Sequence, residues 1–126
     1  MPRRKRAENV KISSWLSAND DNRERRFIQV GNSLLFSAAF QDLNAGARML
    51  YLSMTMEAGG KREFTFSHGA GRKYGFKNTT FDRYIKELQK AGFIKLLADH
   101  DTGRFSANKF QFVFDWRKTG RQNYEH

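Results

Sequence analysis

The stretch 78-NTTFDRYIKELQKAGFIK-95 decides the fold, because it carries a complete helix pattern followed at once by a strand pattern. Its apolar residues recur at steps of three and four, which places them on one face of a helix: Phe81, Ile85, Leu88 and Ala91. Asn78 is a residue type that caps helix N-termini, and Gly92 supplies the left-handed conformation that ends many helices. We therefore predict one amphipathic helix that leads directly into a strand beginning at Phe93.

The side of this helix opposite the apolar face carries short polar and basic side chains. Its members are Thr79, Asp82, Arg83, Lys86, Glu87 and Lys90. The N–H groups and the dipole of a helix N-terminus attract phosphate, so this pattern is typical of a helix that binds a polyanion. A solvated face, with pairs such as Asp82 and Lys86 at i,i+4 spacing, is the alternative interpretation.

Two more helices are predicted upstream. Residues 33–42 (SLLFSAAFQD) indicate a short helix with four inward residues, Leu35, Phe36, Ala39 and Phe40. Asn44 is placed to cap a longer helix that ends at Gly59 and Gly60. The apolar face of the longer helix consists of Ala47, Leu50, Tyr51 and Met54.

Short extended segments flank these helices. Residues 27–30 (FIQV) are apolar and β-branched, and residues 63–67 (EFTFS) alternate, so both are predicted as strands. Ser67 is placed to cap a short helix over residues 68–75 (HGAGRKYG).

A hairpin is predicted near the C-terminus. Residues 93–98 form its first strand, residues 100–103 (HDTG) its turn, and residues 105–116 a long second strand. The buried face of the second strand would carry Phe110, Phe112 and Phe114.

The chain is expected to hold one domain with an extension at each end. Residues 1–26 are predicted as a basic, largely flexible arm, residues 27–116 as the domain, and residues 117–126 as a polar tail. The arm contains a small apolar island, Val10, Ile12, Trp15 and Leu16. This island either docks on the domain as a short helix from Ser13 or Ser14, or stays unstructured.

The composition favours a folded protein with an anionic partner. The chain has 126 residues, enough for one core, and twelve Phe, four Tyr and two Trp to fill it. Its formal net charge is +10. Residues 27–126 alone carry fifteen Lys or Arg against nine Asp or Glu, so the excess is not confined to the arm. Such a charge suits nucleic acid, although solubility alone is a second explanation.

Several classes of protein are excluded or disfavoured. The chain has no cysteine, which excludes disulfides, a thiolate nucleophile and a zinc finger. No apolar run approaches the roughly 20 residues of a membrane span, and no secretory signal is evident. We therefore expect a cytoplasmic protein with no membrane partner.

Residues 44–116 resemble a bacterial winged helix domain. The resemblance rests on LNAGARMLYLSM at residues 43–54 and TTFDRYIKELQKAGFIK at residues 79–95, with a short helix between them. Both are similar to the winged helices of plasmid and mobile-element replication initiators and of small transcriptional regulators. The most specific part is the ending KELQKAGFI, in which Leu88 packs inward and Gly92 ends the helix. This resemblance implies an α+β fold, a three-helix core with a C-terminal β-hairpin wing plus an N-terminal extension.

The resemblance also implies sequence-specific binding of double-stranded DNA. Residues of the opening helix would then face the major groove: Asn78, Thr79, Thr80, Asp82, Arg83 and Lys86. Arg83 has the fork geometry that binds guanine, and Asn78 would bind adenine if capping did not occupy it. Phosphate contacts are assigned to Lys77, Lys86 and Lys90.

Further DNA contacts are expected from the neighbouring elements. The short preceding helix would contact phosphates through Ser67, His68, Arg72 and Lys73. At the wing, Arg104 would enter a minor groove beside Asn108 and Lys109, whereas Asp99 and Asp101 would repel phosphate. The basic cluster Arg3, Arg4, Lys5 and Arg6 would act as a minor-groove arm.

Other functions receive less support from the sequence. The histidines are scattered, and Asp99–His100–Asp101 resembles an ordinary turn more than a metal site, so no catalysis, metal, cofactor or small-molecule substrate is expected. The aromatic residues fall at core-facing periods, which disfavours RNA binding without excluding it. A protein-interaction module remains an alternative, with Trp15, Leu16 and Trp116 as candidate contacts, and a homodimer is possible.

Overall fold

The structure is a computed structural model that describes residues 9–98 and 108–118. The predictions for Arg3 to Arg6, for the turn and metal motif within residues 99–107, for Arg104 and for residues 119–126 lie outside the described residues.

The described residues form a mixed α+β structure, as the sequence predicts. The elements in chain order are β1 (Val10–Lys11), a 3₁₀ turn (Ser14–Leu16), β2 (Arg23–Glu24), α1 (Asn32–Phe36), α2 (Ala38–Gln41), α3 (Ala45–Ala58), β3 (Glu63–Phe66), α4 (His68–Lys73), α5 (Asn78–Lys90), β4 (Ile94–Ala98), β5 (Asn108–Phe112) and a 3₁₀ helix (Asp115–Arg117).

Two antiparallel sheets are present among these elements. Strands β1 and β2 form a two-stranded ladder, and the larger sheet has the order β3–β5–β4. In the larger sheet Phe64 pairs with Phe110, and Ile94 pairs with Phe112. Strand β5 therefore lies between two strands that both precede it in the chain, and it joins the segment before α4 to the segment after α5.

The core lies between this sheet and the two long helices. Helix α3 buries Ala47, Leu50 and Met54 completely, as its three- and four-residue spacing predicts. The larger sheet contributes Phe64, Phe66, Phe110 and Ile94, and α5 contributes Phe81, Ile85 and Leu88. The alternation of each strand directs these side chains to one face of the sheet, which is the face that the helices cover.

The junction between α5 and β4 follows the prediction closely. Gly92 has a φ of 86°, the left-handed conformation that ends a helix. The Gly92 N–H donates to the Gln89 carbonyl at 3.1 Å, and the Phe93 N–H donates to the Leu88 carbonyl at 3.0 Å. This bond pair is a Schellman motif, and the buried side chains of Leu88 and Phe93 supply its usual apolar contact.

Two predictions about residues 27–42 are wrong. Residues 27–30 form no strand. The helix predicted over residues 33–42 is broken at Ser37, whose ψ of 143° is extended and whose hydroxyl accepts from the Phe40 N–H at 3.1 Å. The break turns the first half outward, so that Leu35 and Phe36 are 44% and 53% exposed instead of facing inward.

The second wing strand was predicted too long. Strand β5 ends at Phe112, and Phe114 is 45% exposed instead of lying on the buried face. The chain turns after residue 112, and Trp116 in the following 3₁₀ helix stacks on Phe93 with ring centroids 5.1 Å apart. Simple alternation would bury Phe114 and Trp116 alike, because both follow Phe112 by an even number of residues. Only Trp116 is buried, from the 3₁₀ helix after the strand, so it is not the exposed protein contact that the interaction alternative named.

Residues 9–26 are hydrogen-bonded into a small hairpin. The Ile12 N–H donates to the Asn22 carbonyl at 2.8 Å, next to the β1–β2 ladder. A short 3₁₀ turn begins at Ser14, but the side chains of Trp15 and Leu16 are 80% and 68% exposed. Trp15 and Leu16 therefore do not dock on the body of their own chain.

Candidate nucleic-acid interface

Helices α4 and α5 are joined by the four residues 74–77 and pack closely at one point. The Ser67 hydroxyl caps α4 by accepting from the Ala70 N–H at 3.1 Å, as predicted. A Cβ atom at Gly71 would lie 2.9 Å from the Phe81 ring, so the glycine permits the close approach of the two helices. The two helices thus meet where the second half of α4 faces the first turn of α5.

The predicted capping role of Asn78 is wrong. Lys77 occupies the N-cap position of α5 without a side-chain cap bond, and Asn78 is the first helical residue. Its Oδ1 instead accepts a hydrogen bond from the Arg72 guanidinium at 2.8 Å. Because Arg72 can only donate, the bond identifies this Asn78 atom as oxygen and leaves the amide N–H₂ to face outward.

The outward side of α5 carries a line of exposed side chains, which we call the basic stripe. Its members are Thr79, Arg83, Lys86 and Lys90. Their spacing of four, three and four residues places them on one face of the helix. The Arg83 guanidinium lies 5.3 Å from the centre of the Tyr84 ring, which supports the extended side chain. Within the described part of the chain, no acidic side chain forms an ion pair with these three cations.

Both acidic residues of α5 are engaged elsewhere. The Glu87 carboxylate accepts from the Asn44 backbone N–H at 2.6 Å, at the N-terminus of α3. A negative charge at that position is favoured by the α3 dipole. Asp82 lies 2.8 Å from the His68 ring nitrogen Nε2, across the start of α4. The sequence pattern grouped Asp82 and Glu87 with the cations on one face of α5. In the structure the two carboxylates lie on opposite sides of the basic stripe, Asp82 toward α4 and Glu87 toward α3.

A groove of about 400 Å³ runs beside the basic stripe, between α5 and the ends of β3 and β5. We call it the helix–strand groove. Its floor is apolar, formed by Phe66, Phe81, Ile85 and Phe110, and its polar rim consists of Ser67, His68, Asp82, Lys86, Gln89 and Asn108. Gln89 was not among the predicted site residues. Gln89 lies three residues after Lys86 and seven after Asp82, and this helical spacing could have identified it as a member of the same face.

Other predicted site residues are placed differently. Thr80 is half-buried and shares a side of α5 with Tyr84 and Glu87, the side that meets α3. Lys77 is exposed at the start of α5. Lys109 lies on the outer face of the sheet, where its Nζ is 3.4 Å from a Glu63 oxygen.

Lys73 belongs to a polar cluster that ties α4 to α3. Its Nζ lies 2.9 Å from Glu57 Oε1, and the Tyr74 hydroxyl donates to the same oxygen at 2.8 Å. The hydrogen bond from Lys73 is the main cause that lowers the pKa of Glu57. Burial raises the pKa of Tyr74 to about 12, and the bond to Glu57 adds to that rise. Lys73 therefore serves the packing of the helices, and Arg72 beside it faces outward to Asn78.

No group of three or more His, Asp or Glu side chains is arranged to hold a metal ion in residues 9–98 and 108–118. Over the same residues, no helix combines the length and the apolar character that crossing a bilayer requires.

Comparison with known proteins gave no match, since no family model, curated protein or solved structure is significantly similar to this chain.

Proposed function

We propose that the protein binds double-stranded DNA as a winged helix-turn-helix domain. The observation that carries this proposal is the basic stripe, whose cations are exposed while the two carboxylates of the same helix are paired elsewhere. A helix whose acids each contact another partner leaves its cations free to attract a polyanion. The net charge of +10 supports the same partner.

In this proposal α3, α4 and α5 form the three-helix core, and α5 is the recognition helix. Its side chains Thr79 and Arg83 enter the major groove, which is wide enough to admit an α-helix, and Lys86 contacts a phosphate at the edge of that groove. The antiparallel pair β4–β5 acts as the wing, and the start of α4 approaches the sugar-phosphate backbone. The helix–strand groove then lies where a DNA strand passes between recognition helix and wing.

The Arg72–Asn78 bond changes the base preference that the sequence suggested. Bidentate reading of adenine by asparagine uses its amide oxygen as an acceptor and its nitrogen as a donor. Arg72 already occupies that oxygen at 2.8 Å, so the pair presents mainly donors. Donors fit the O6 and N7 acceptors of guanine or a phosphate oxygen, and we assign Asn78 with Arg72 to one of these two.

The biological setting follows from the resemblance stated above. A transcriptional regulator, or an accessory protein of replication or transfer in a bacterial mobile element, would use such a domain on a specific duplex site.

The direct test is the salt dependence of duplex binding. With about four to eight phosphate contacts, the logarithm of affinity should fall by about 0.9 per contact for each unit of log salt. Lys86→Ala should weaken binding and reduce this slope by about one contact. Lys118→Ala is the matched control, because Lys118 is also an exposed lysine but lies after the last 3₁₀ helix, outside α4, α5 and the wing strands. Equal effects of the two changes, or binding that ignores salt, would refute the proposal.

A further inference from the structure

The N-terminal hairpin presents an apolar side chain to solvent from an ordered support. We call residues 15–21 the arm tip. Asn19 Nδ2 donates to the Arg23 carbonyl at 2.7 Å, and the Ser17 hydroxyl donates to Glu24, so that the tip is bonded to strand β2. Trp15 is nevertheless 80% exposed. A tryptophan held in the open by hydrogen-bonded backbone is typical of an interface anchor.

The arm tip is locally acidic within a basic protein. Residues 15–21 (WLSANDD) contain Asp20 and Asp21 and no Lys or Arg. Both aspartates are exposed. The surface that accepts this tip should therefore combine an apolar floor with positive charge.

The body of the protein carries such a surface at the end of the sheet opposite the helix–strand groove. We call it the aromatic groove, a concavity of about 380 Å³ with the lining residues Tyr51, Thr55, Ala58, Gly60, Lys61, Arg62, Phe112 and Phe114. Phe112 packs edge-on against Tyr51 with ring centroids 5.6 Å apart, which gives the groove a firm apolar floor. Phe114, at the side of this groove, is 45% exposed.

Cations surround the aromatic groove. The Arg62 and Arg117 guanidinium carbons lie 5.3 Å and 4.5 Å from the centre of the Phe114 ring. Arg62 is also fixed by the bond from its Nε to the Phe112 carbonyl, at 2.9 Å. Burial raises the pKa of Tyr51, and the charge of Arg117 opposes that rise. Lys61 completes the positive rim.

The arm leaves the body beside this groove without filling it. Residues 25–29 line a neighbouring concavity that shares Thr55 and Gly60 with the aromatic groove. Trp15 of the same chain stays in solvent, so the acidic tip and its complementary surface are both unoccupied within one copy. In two copies related by a twofold axis, the arm tip of each copy can contact the aromatic groove of the other. Such an arrangement is closed, because it leaves neither surface free to add a third copy.

We propose that the aromatic groove binds the arm tip of a second copy of this chain, with Trp15 and Leu16 on the apolar floor and Asp20 and Asp21 against the positive rim. The product is a reciprocal dimer in which each copy gives one arm and accepts one. This proposal does not depend on DNA binding, because it rests on the arm and on the end of the sheet away from α5.

The experiment measures the mass of the full chain by sedimentation equilibrium over a range of concentrations. The unchanged protein should reach the mass of a dimer. Trp15→Ala and Arg62→Glu should each raise the dissociation constant at least about tenfold, as expected for an aromatic anchor and for a reversed rim charge. Met49→Ala is the control, because Met49 is an exposed apolar side chain of α3 outside both surfaces. It should leave the constant unchanged.

Mixing the two defective variants distinguishes arm exchange from any other dimer. A Trp15→Ala chain keeps an intact groove, and an Arg62→Glu chain keeps an intact arm, so their mixture can form one of the two contacts. Association in the mixture should therefore exceed that of either variant alone. No recovery on mixing would overturn the proposal.

Fluorescence quenching follows Trp15 directly, since Trp116 is buried and Trp15→Phe supplies the baseline for Trp116. Trp15 should be open to quencher in dilute solution and protected as dimer forms. Three results would overturn the proposal: a monomer mass at the highest soluble concentration, protection of Trp15 without a change in mass, or Arg62→Glu weakening duplex DNA binding while the dimer is unaffected.

Discussion

Gly92 shows how a single residue controls the passage from the recognition helix of our proposal to the sheet. Its φ of 86° lies in the left-handed region, and a Cβ atom there would lie 2.8 Å from the Asp115 Cβ and 3.0 Å from the Trp116 nitrogen. The residue therefore serves two needs, since it ends α5 and lets the chain after β5 cross behind it. Only the first need is visible in the sequence pattern.

Gly92→Ala should destabilise the protein more than an ordinary glycine substitution. The left-handed conformation alone costs an alanine about 1–2 kcal/mol, and a clash with packed backbone adds about 1–3 kcal/mol. Gly60→Ala separates the two effects, because Gly60 has a nearly identical φ of 88° with nothing within 4 Å of the added Cβ. Urea unfolding should show a clearly larger loss for Gly92→Ala. Equal losses would mean that the chain at Asp115 and Trp116 moves aside at no cost in free energy.

Arg83 and Lys90 share the basic stripe but are assigned different roles in the proposed DNA complex. Arg83 lies one turn into α5, where a bidentate contact to guanine distinguishes bases, and Lys90 lies at the end where a phosphate is the partner. Arg83→Ala should cost about 1–3 kcal/mol on the preferred site and reduce discrimination, whereas Lys90→Ala should weaken all duplexes alike. The measurement compares the affinity of each variant for a preferred duplex with its affinity for a scrambled duplex. Identical profiles would contradict the major-groove assignment.

At the scale of elements, α3 is held to its neighbours by charged contacts as well as by apolar packing. Glu87 of α5 caps its N-terminus through the Asn44 N–H, and Glu57 near its C-terminus binds Lys73 and Tyr74 of the α4 region. These contacts fix the direction of α4 and α5 relative to α3. They were not predictable, because each joins residues far apart in the chain, 43 positions in the case of Asn44 and Glu87.

Glu87→Gln should lower stability by about 1 kcal/mol, since the amide keeps a hydrogen bond to Asn44 but loses the charge that the α3 dipole favours. Asp82→Asn is the control. It removes the other carboxylate of α5, whose exposed contact with His68 is expected to contribute little. Thermal unfolding at neutral pH measures both. A larger loss for Asp82→Asn would show that the cap does not hold α3 and α5 together.

The Tyr74–Glu57 bond predicts a stability change in alkaline solution. The pKa of Tyr74 is raised from 10.0 to about 12, so folding favours the neutral phenol. This contribution is fully present below pH 10 and is lost as the pH rises through about 12. Glu57 acts in the opposite range, because its pKa is lowered from 4.5, and its contribution is lost on acidification below that value.

Glu57→Gln should move the Tyr74 titration back toward its ordinary pKa, but not all the way, because burial is the larger cause of the rise. Absorbance of tyrosinate during alkaline titration follows the group, and Tyr74→Phe identifies its share of the signal. An unchanged titration in Glu57→Gln would show that burial alone sets the value.

The whole molecule separates two surfaces at opposite ends of one sheet. The helix–strand groove lies where β3 ends and β5 begins, and the aromatic groove lies where β3 begins and β5 ends. Since the antiparallel pair spans the body between them, one surface would be available to DNA in the proposed complex while the other would hold a second copy. The proposed dimer would thus present two recognition helices.

Selection of bound sequences from a random duplex library tests both proposals together. We expect a site with two symmetric halves, because a twofold dimer presents the same helix twice. Trp15→Ala should reduce the preference for DNA with two half-sites over DNA with one, and it should leave the affinity for a single half-site unchanged. A non-repeated site would contradict the dimer, and no enrichment would contradict sequence-specific binding.

The sequence by itself determined the helices α3, α4 and α5, the three strands of the larger sheet and most of the residues that fill the core. Capping residues, glycines and apolar periods act over a few neighbouring positions, so Asn44, Ser67 and Gly92 were readable without a structure. The outward direction of Arg83, Lys86 and Lys90 was also local, because helix geometry alone places them together.

The tertiary structure alone decided which polar groups meet. It bonded Asn78 to Arg72, directed Glu87 to α3, broke the helix at Ser37 and left Phe114 outside the core that Trp116 joins. Each outcome depends on a partner supplied by another element, and hydrogen bonds and packing act only over the distances that the fold creates. The pairing that leaves the basic stripe exposed is therefore a property of the folded chain.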